Sequence, residues 1–242
     1  MKEDKAPLMQ DKSADLINDF LSRISHEIRT PVNALQQAAK QLEHDLSFFN
    51  NRDISRLTTI MVEDSERLGR TIDLLVNTSL VRTGNYKPKF EKFDLFHEVL
   101  ARIVSDYKPK AEAKGLRFII NSTTLNCEVR ADRYSVTQIF SNIIDNAINY
   151  TEKGVIEIDI HRNPDQTLSV SIIDTGIGMN PEYLNEIFTP FSQESNGYSR
   201  NFDGMGLGLL LVKGFCDLNK IDLNIQSQKE AGTVVSLTLQ SS

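Results

Sequence analysis

The sequence predicts an α+β protein: a long antiparallel helical hairpin followed by an α/β-sandwich domain. Two observations predict it. Apolar residues recur at helical spacing as far as about residue 80, and beyond a break marked by Gly84 and Pro88 the signal alternates between helices and hairpin-paired strands.

The hairpin comes first. Ile17, Leu21, Ile24, Ile28, Leu35, Leu42 and Phe49 are separated by threes, fours and sevens, the seam of a coiled coil or bundle. NNRD then reads as a turn, and Ile54, Leu57, Met61, Leu68, Ile72 and Leu75 continue the spacing on a second helix. A hairpin alone cannot bury both seams. Two copies forming a four-helix bundle can, so a homodimer is expected. Pro31 removes a backbone donor and loosens the first helix.

Composition shifts over Thr83–Leu95, where Gly84, Pro88 and mixed charges place a linker at 84–94 and FEKFDL reads as the first strand of a new unit. The expected division is a lead-in at 1–14, the hairpin at 15–83, the linker, and a second domain at 95–242. Within that domain LFHEVLARIVSDYKPKAEAKG is helical at least to the Lys108–Pro109 bond, LRFIINS is a strand, and RYSVTQIFSNIIDNAINYT is a helix. VIEIDIH and LSVSIID pair around NPDQ, GLLLVKGFCDL is a short helix, and IDLNIQS and TVVSLTL close a hairpin across QKEAG.

Bulk properties narrow the function. A hydrophobic share of 40% and a charged share of 25% are ordinary for a globular chain, and a net charge of −6 argues against a nucleic-acid partner. Cys127 and Cys216 are too far apart in sequence for a zinc motif; two free thiols fit a reducing compartment and point to the cytoplasm. The N-terminus has no apolar h-region, and no run of 18 apolar residues offers a membrane span. The expectation for an upstream sensor or membrane region stays open.

Three polar patterns in the second half point to a nucleotide. Asn142 and Asn146 are four residues apart on one helix face, with Asn149 and Tyr150 a turn further. Amide oxygens suit Mg²⁺, and an aromatic ring can flank a base. LSVSIIDTGIGM ends an apolar strand in Asp174, whose carboxylate can accept the exocyclic amine of adenine, with Gly176 and Gly178 beside it to let a flat ring approach. FTPFSQESNGYSRNFDGMGLGLLLVKGF runs from a long polar span, suited to a mobile lid, through Gly204, Gly206 and Gly208 into a helix whose free N–H groups suit phosphate. It is neither a Walker motif nor the dinucleotide fingerprint. Alone, the asparagine stripe reads more readily as a solvated face and Asp-x-Gly-x-Gly more often as a turn; the ordered set is specific.

That set resembles the ATP-binding fold shared by sensor histidine kinases, type II topoisomerases and mismatch-repair ATPases. NIIDNAINYT looks like its N box, DTGIGM the first glycine box, IFTPF the F box and GMGLGL the second glycine box. The resemblance implies that Asn146 holds Mg²⁺, Asn142 supports the phosphates, Tyr150 flanks adenine, Asp174 binds its amine, and Phe188 and Phe191 anchor the lid. Asn149 stands where the family usually carries Lys or Arg, which leaves that phosphate contact to Arg200 or Lys153. Met205 replaces a residue that is usually smaller.

SHEIRTP, Ser25 to Pro31, completes the resemblance. His26 lies about 200° around the helix from Ile24 and from Ile28, away from the seam. Glu27 can hold one ring nitrogen and leave the other nucleophilic, and Thr30 shares the face of His26. The motif closely resembles the H box of sensor histidine kinases, and the likeness runs from about Phe20 to Leu239. It implies that ATP and Mg²⁺ phosphorylate His26, with Glu27 orienting or deprotonating it. The group then passes to an aspartate on a response-regulator receiver domain, and Thr30 serves the reverse dephosphorylation. His44, His97 and His161 lack the flanking motif. Two other readings stay open. An ATPase clamp shares the nucleotide boxes but has no use for SHEIRTP, and a dimeric scaffold follows if Asn149 weakens ATP binding.

Overall fold

The computed structural model describes residues 32–42, 44, 52–190, 192, 194 and 206–241, without the side chains of 52–55 and 57. It divides into two units between Tyr86 and Lys87.

The first unit holds helix α1 (residues 32–42) and helix α2 (Arg52–Arg82). Lys40 Nζ lies 3.3 Å from Glu66 Oε1, and the Gln36 amide faces Gly69, so the partner number on α2 rises as the α1 number falls toward its start. The pair is therefore antiparallel. Val32, Ala39 and Ile72 are buried. Leu35, Leu42, Met61, Leu68 and Leu75, all named by the seam, remain 38–54% exposed, so one hairpin leaves much of its apolar stripe in water. Gly84 ends α2 at φ +70°, donating to the carbonyl of Val81 while Asn85 donates to Leu80. That left-handed turn is the reason for a glycine there.

In the second unit β1 (Phe90–Asp94) leads through a π-helical turn at Phe96–Leu100 into α3 (Ala101–Ala113). The helix continues past Pro109, where a proline costs one hydrogen bond without ending it. β2 (Arg117–Ser122), β3 (Glu128–Asp132), α4 (Arg133–Tyr150), β4 (Val155–Arg162) and β5 (Leu168–Asp174) follow. The short helix α5 (Pro181–Leu184) precedes α6 (Gly208–Asn219), β6 (Asp222–Gln228) and β7 (Gly232–Leu239).

Five strands form one sheet in the order β2-β4-β5-β7-β6, parallel only between β2 and β4, and β1 pairs with β3 in a separate ribbon. The alternation in the sequence sets the layers. Ile156, Ile158 and Ile160, Leu168, Val170 and Ile172, and Leu237 and Leu239 are buried beneath α3, α4 and α6. The intervening positions carry Asp159, Ser171, Ser236 and Asn224 in register, and the Ser171 and Ser236 hydroxyls meet at 3.0 Å. Val136, Phe140, Ile143 and Ala147, the stripe read from the sequence, are all buried.

The sequence reading did not contain β3 or the parallel pairing of β2 with β4. EVRAD is short and half polar, and its strand form depends on β1 supplying the ladder. A buried knot then aligns the helices. Asp132 caps α4 by accepting from Ser135 N at 2.9 Å, and Asn219 at the end of α6 donates to Ser135 Oγ at 2.7 Å while accepting from Asp132 N.

Candidate functional site

Helix α4 carries the first half of the site because its apolar stripe is turned into the core, which leaves its asparagines on the flank. Asn142 and Asn146 are half-buried. Asn142 donates to the carbonyl of Gln138 at 2.8 Å, and its Oδ1 lies 3.3 Å from where a Cβ on Gly208 would sit. Asn142 and the start of α6 are thus close neighbours. The first turn of α6 has no side-chain cap, and Gly206 just before it has φ +65°. The carboxamide of Asn146 has no hydrogen-bond partner among the described residues, as suits an oxygen reserved for a cation. Asn149 is exposed and donates to Asp145 Oδ2 at 3.0 Å.

The far end of α4 meets the end of β5. Tyr150 is 39% exposed, and burial of the remainder, then the Asp145 charge, pushes its phenol up from the usual range. Its carbonyl accepts from Ile177 N at 3.1 Å, tying the DTGIGM loop to the helix. Asp174 accepts from Gly176 N at 2.8 Å. Burial outweighs that bond and the lesser pull of the Thr233 backbone on the neighbouring strand, and raises its carboxyl above the ordinary aspartate value. Such a carboxylate, partly desolvated and held by a backbone amide, is poised to accept from a ligand N–H.

Two glycines are required here for different reasons. A Cβ on Gly176 would sit 2.5 Å from the Tyr150 carbonyl, 2.8 Å from Asp174 Oδ1 and 2.9 Å from Thr151 Oγ1. Gly178 has φ +60°, and a Cβ there would collide with the carbonyl of Gln228. The loop is pressed against helix and hairpin, so any side chain would fill the cradle.

Tyr150, Asp174 and Gly176 are thus together at one end of α4, and Asn142 and Gly208 lie two turns earlier. Phe188 is half-buried beyond α5, next to the buried Ile187. Glu194 accepts from Lys229 Nζ at 3.1 Å on both oxygens and from Asn180 N at 3.3 Å. His26, Glu27, Thr30, Phe191, Arg200, Gly204 and Met205 lie outside the described residues. His97 meets Asp94 Oδ1 at 3.0 Å on the surface, and among the described residues no His/Cys/Asp/Glu cluster could hold a metal. No helix of the described residues is long and apolar enough to cross a membrane.

Sequence reasoning missed two neighbours of the site. Lys114, between α3 and β2, donates to the carbonyls of Ile148, Asn149 and Thr151 at 2.6, 3.1 and 3.2 Å. It satisfies the end of α4 from a distant part of the chain, and nothing local in AKG announces that. Thr151 is fully buried, and its hydroxyl has no hydrogen-bond partner. Its one signal was adjacency to Tyr150.

The donor set fits ATP. A half-buried acceptor, a side-chain-free cradle and an uncapped helix start beside an asparagine supply a base site and a phosphate site along one helix. Asn142 and Tyr150 are separated by about 12 Å of helix, comparable to the reach of an extended nucleotide.

Comparison with known proteins agrees. Residues 131–242 match the family described as "Histidine kinase-, DNA gyrase B-, and HSP90-like ATPase", and residues 16–84 match "His Kinase A (phospho-acceptor) domain". The "Autoinducer 2 sensor kinase/phosphatase LuxQ" of Vibrio vulnificus is 30% identical over 235 residues, 95% of this chain and 27% of that protein. A sensor-like histidine kinase of Rhizobium meliloti is 32% identical over 224 residues, 92% of this chain and 42% of its own length. The chain therefore spans well under half of these relatives. Among solved structures, ShkA in complex with AMPPNP aligns with a TM-score of 0.69 at 22% identity, covering 91% of this chain and 45% of that one. The Acinetobacter baumannii histidine kinase AdeS aligns at 0.59 and 24%, covering 89% and 97%. At these identities the structural likeness is one of fold.

Proposed function

This chain belongs to the sensor histidine kinases, whose catalytic core it carries, and we propose that it phosphorylates its own His26 from ATP and passes the phosphoryl group to an aspartate on a response-regulator receiver domain. In this reading 15–83 is the dimerisation and phosphoacceptor domain, 84–94 the linker and 95–242 the ATP-binding domain. The core belongs to the cytoplasmic side of the cell, whether or not a membrane receptor precedes it.

The observation that carries the reading is the convergence of Asp174, Gly176 and Tyr150 at one end of α4, with Asn142 beside the uncapped start of α6 two turns away. Asp174 accepts the adenine amine, Gly176 and Gly178 give the ring its flat bed, and Tyr150 flanks it. Asn142 and the glycines Gly204, Gly206 and Gly208 receive the phosphates, and Phe188 and Phe191 anchor the segment between. Asn146 holds Mg²⁺, which when bound supplies charge neutralisation at the phosphates. Asn149 turns its amide to Asp145, so it adds a polar edge and no cation.

Little covalent chemistry falls to the protein, so positioning and electrostatics carry the rate. The lone pair of a His26 ring nitrogen attacks the γ-phosphorus of ATP as the bond to the bridging oxygen breaks and ADP leaves. Glu27 orients the ring or takes its proton. Thr30, on the same helix face, positions the water that hydrolyses the receiver's phosphoaspartate, a reading that the kinase/phosphatase name of the Vibrio relative supports. The exposed leucines of the hairpin are the face on which a second copy completes a four-helix bundle.

Incubation with γ-labelled ATP and Mg²⁺ tests the reading. Label that is covalent, acid-labile, base-stable and lost in His26→Gln is expected. ATP hydrolysis without protein label, or neither, would overturn it. Retained receiver dephosphorylation by Thr30→Ala would remove that role from Thr30 alone.

A further inference from the structure

The chain leaving IFTPF is held by a charge pair that no local pattern announces. Glu194 accepts from Lys229 Nζ at 3.1 Å on both carboxylate oxygens, and its Oε1 also accepts from Asn180 N at 3.3 Å. The Glu194 and Lys229 side chains are 16% and 35% exposed, so the pair is shielded enough to exceed the weak effect of an open surface pair. Lys229 stands in the turn between β6 and β7, and that turn is bonded to the DTGIGM loop. Glu230 N donates to the Ile177 carbonyl at 2.7 Å, Met179 N donates to Ser227 Oγ at 2.9 Å, and Gly178 lies against the Gln228 carbonyl. Asn180, the third partner, follows that loop directly and opens α5. Tyr183 on α5 donates its hydroxyl to the Ser192 carbonyl at 3.3 Å. Loop, turn and short helix thus make one frame, and Ser192 and Glu194 are the points where the F-box exit is fastened to it.

Resting on the ATP-binding reading above, we propose that Glu194 and Lys229 are positioning residues for ATP: their ion pair fastens the F-box exit to the glycine loop and so sets nucleotide affinity without touching the nucleotide. The reason is entropic. A ligand that meets groups on two segments binds more tightly when those segments are already held together, because less freedom is left to lose. Here one segment is DTGIGM, and the other starts at Phe188 and runs in sequence to Gly204, Gly206 and Gly208. Each partner of the pair depends on the other. Removing the ammonium takes a bond from both oxygens of a largely buried carboxylate. Removing the carboxylate takes that contact from Lys229 and another from Asn180 N. The two residues therefore act as a unit.

Equilibrium binding of ATP and the rate of autophosphorylation at saturating ATP, measured on the whole chain, test this with Glu194→Gln, Lys229→Met and the double variant. Each single change is expected to weaken ATP roughly three- to tenfold while the saturated rate changes less than about twofold. The double variant is expected to bind within about twofold of Glu194→Gln, since the pair is lost only once. Lys229→Arg, which keeps the charge and can face both oxygens, is expected to bind ATP within about twofold of the unaltered chain. Lys229→Met and Lys229→Arg carry the test if Glu194→Gln fails to fold. Unchanged affinity in the single variants, or losses that multiply in the double variant, would overturn the proposal and leave ATP binding standing. So would equal falls in affinity and saturated rate with a lower melting temperature of the nucleotide-free protein, the mark of a merely structural contact. Failure of the unaltered chain to bind ATP at all would instead overturn the reading on which this one rests.

Discussion

Lys114 Nζ lies 2.6 Å from the carbonyl oxygen of Ile148, and the same ammonium reaches the carbonyls of Asn149 and Thr151. A cation at the negative end of a helix, bonded to otherwise orphan carbonyls, stabilises that end. Here the end carries Tyr150. Lys114→Met should lower stability by about 1 kcal/mol and raise the KM for ATP several-fold with a smaller change in kcat. Lys114→Arg should restore most of both. An unaltered melting temperature together with an unaltered KM would refute the positioning role.

Asp174 trades stability for binding. Burial raises its carboxyl above 3.8, so the folded state holds that proton more tightly than the unfolded chain does. The sign follows: this group's contribution to stability falls as pH rises from the unfolded value through the raised folded one, and the cost persists above it. Asp174→Asn should therefore raise the melting temperature of the nucleotide-free protein at pH 7 while weakening ATP on the order of 10- to 100-fold. ATP affinity of the unaltered protein should begin to fall on acidification at a higher pH than an ordinary aspartate would give. Calorimetric melts and binding titrations from pH 4 to 8 read both effects.

The two glycines of the DTGIGM loop should respond unequally to alanine. At Gly178 the backbone is left-handed and the obstacle is the Gln228 carbonyl, neither of which yields. At Gly176 the φ is ordinary, and two of the three obstacles are side chains. Gly178→Ala should cost about 2–4 kcal/mol in urea unfolding. Gly176→Ala should cost less yet abolish ATP binding by filling the base cradle. The reverse ranking in stability would contradict this account.

Leu68, 46% exposed on α2 at a seam position, belongs to the face left open by one hairpin. Leu68→Glu should convert a dimer to a monomer in sedimentation at micromolar concentration, since a buried unpaired carboxylate costs more than the leucine contributed. Glu66→Gln, which loses surface ion pairs with Lys40 and Arg70, should leave the dimer intact. A monomeric unaltered chain would sink the bundle assignment.

The elements were legible because their periodicity is strong. Val136, Phe140, Ile143 and Ala147 on α4 are all buried, and both predicted hairpins of strands appear in register. β3 was not legible, since five half-polar residues become a strand only when β1 lies beside them. The candidate site was legible where it is written as local spacing: Asn142 with Asn146, and Asp174 with Gly176 and Gly178. It was illegible where it depends on distant chain, as with Lys114.

The sequence by itself determined which face of α4 is apolar, which strands pair as hairpins, and which residue types could bind a nucleotide, because these follow from periodicity and chemistry within a few residues. Only the tertiary structure decided that the end of α4 meets the end of β5 around Gly176, and that a lysine from before β2 bonds the carbonyls of that helix end. Long-range packing, through the buried Asp132–Ser135–Asn219 knot and the mixed sheet, sets those distances, and no local pattern encodes them.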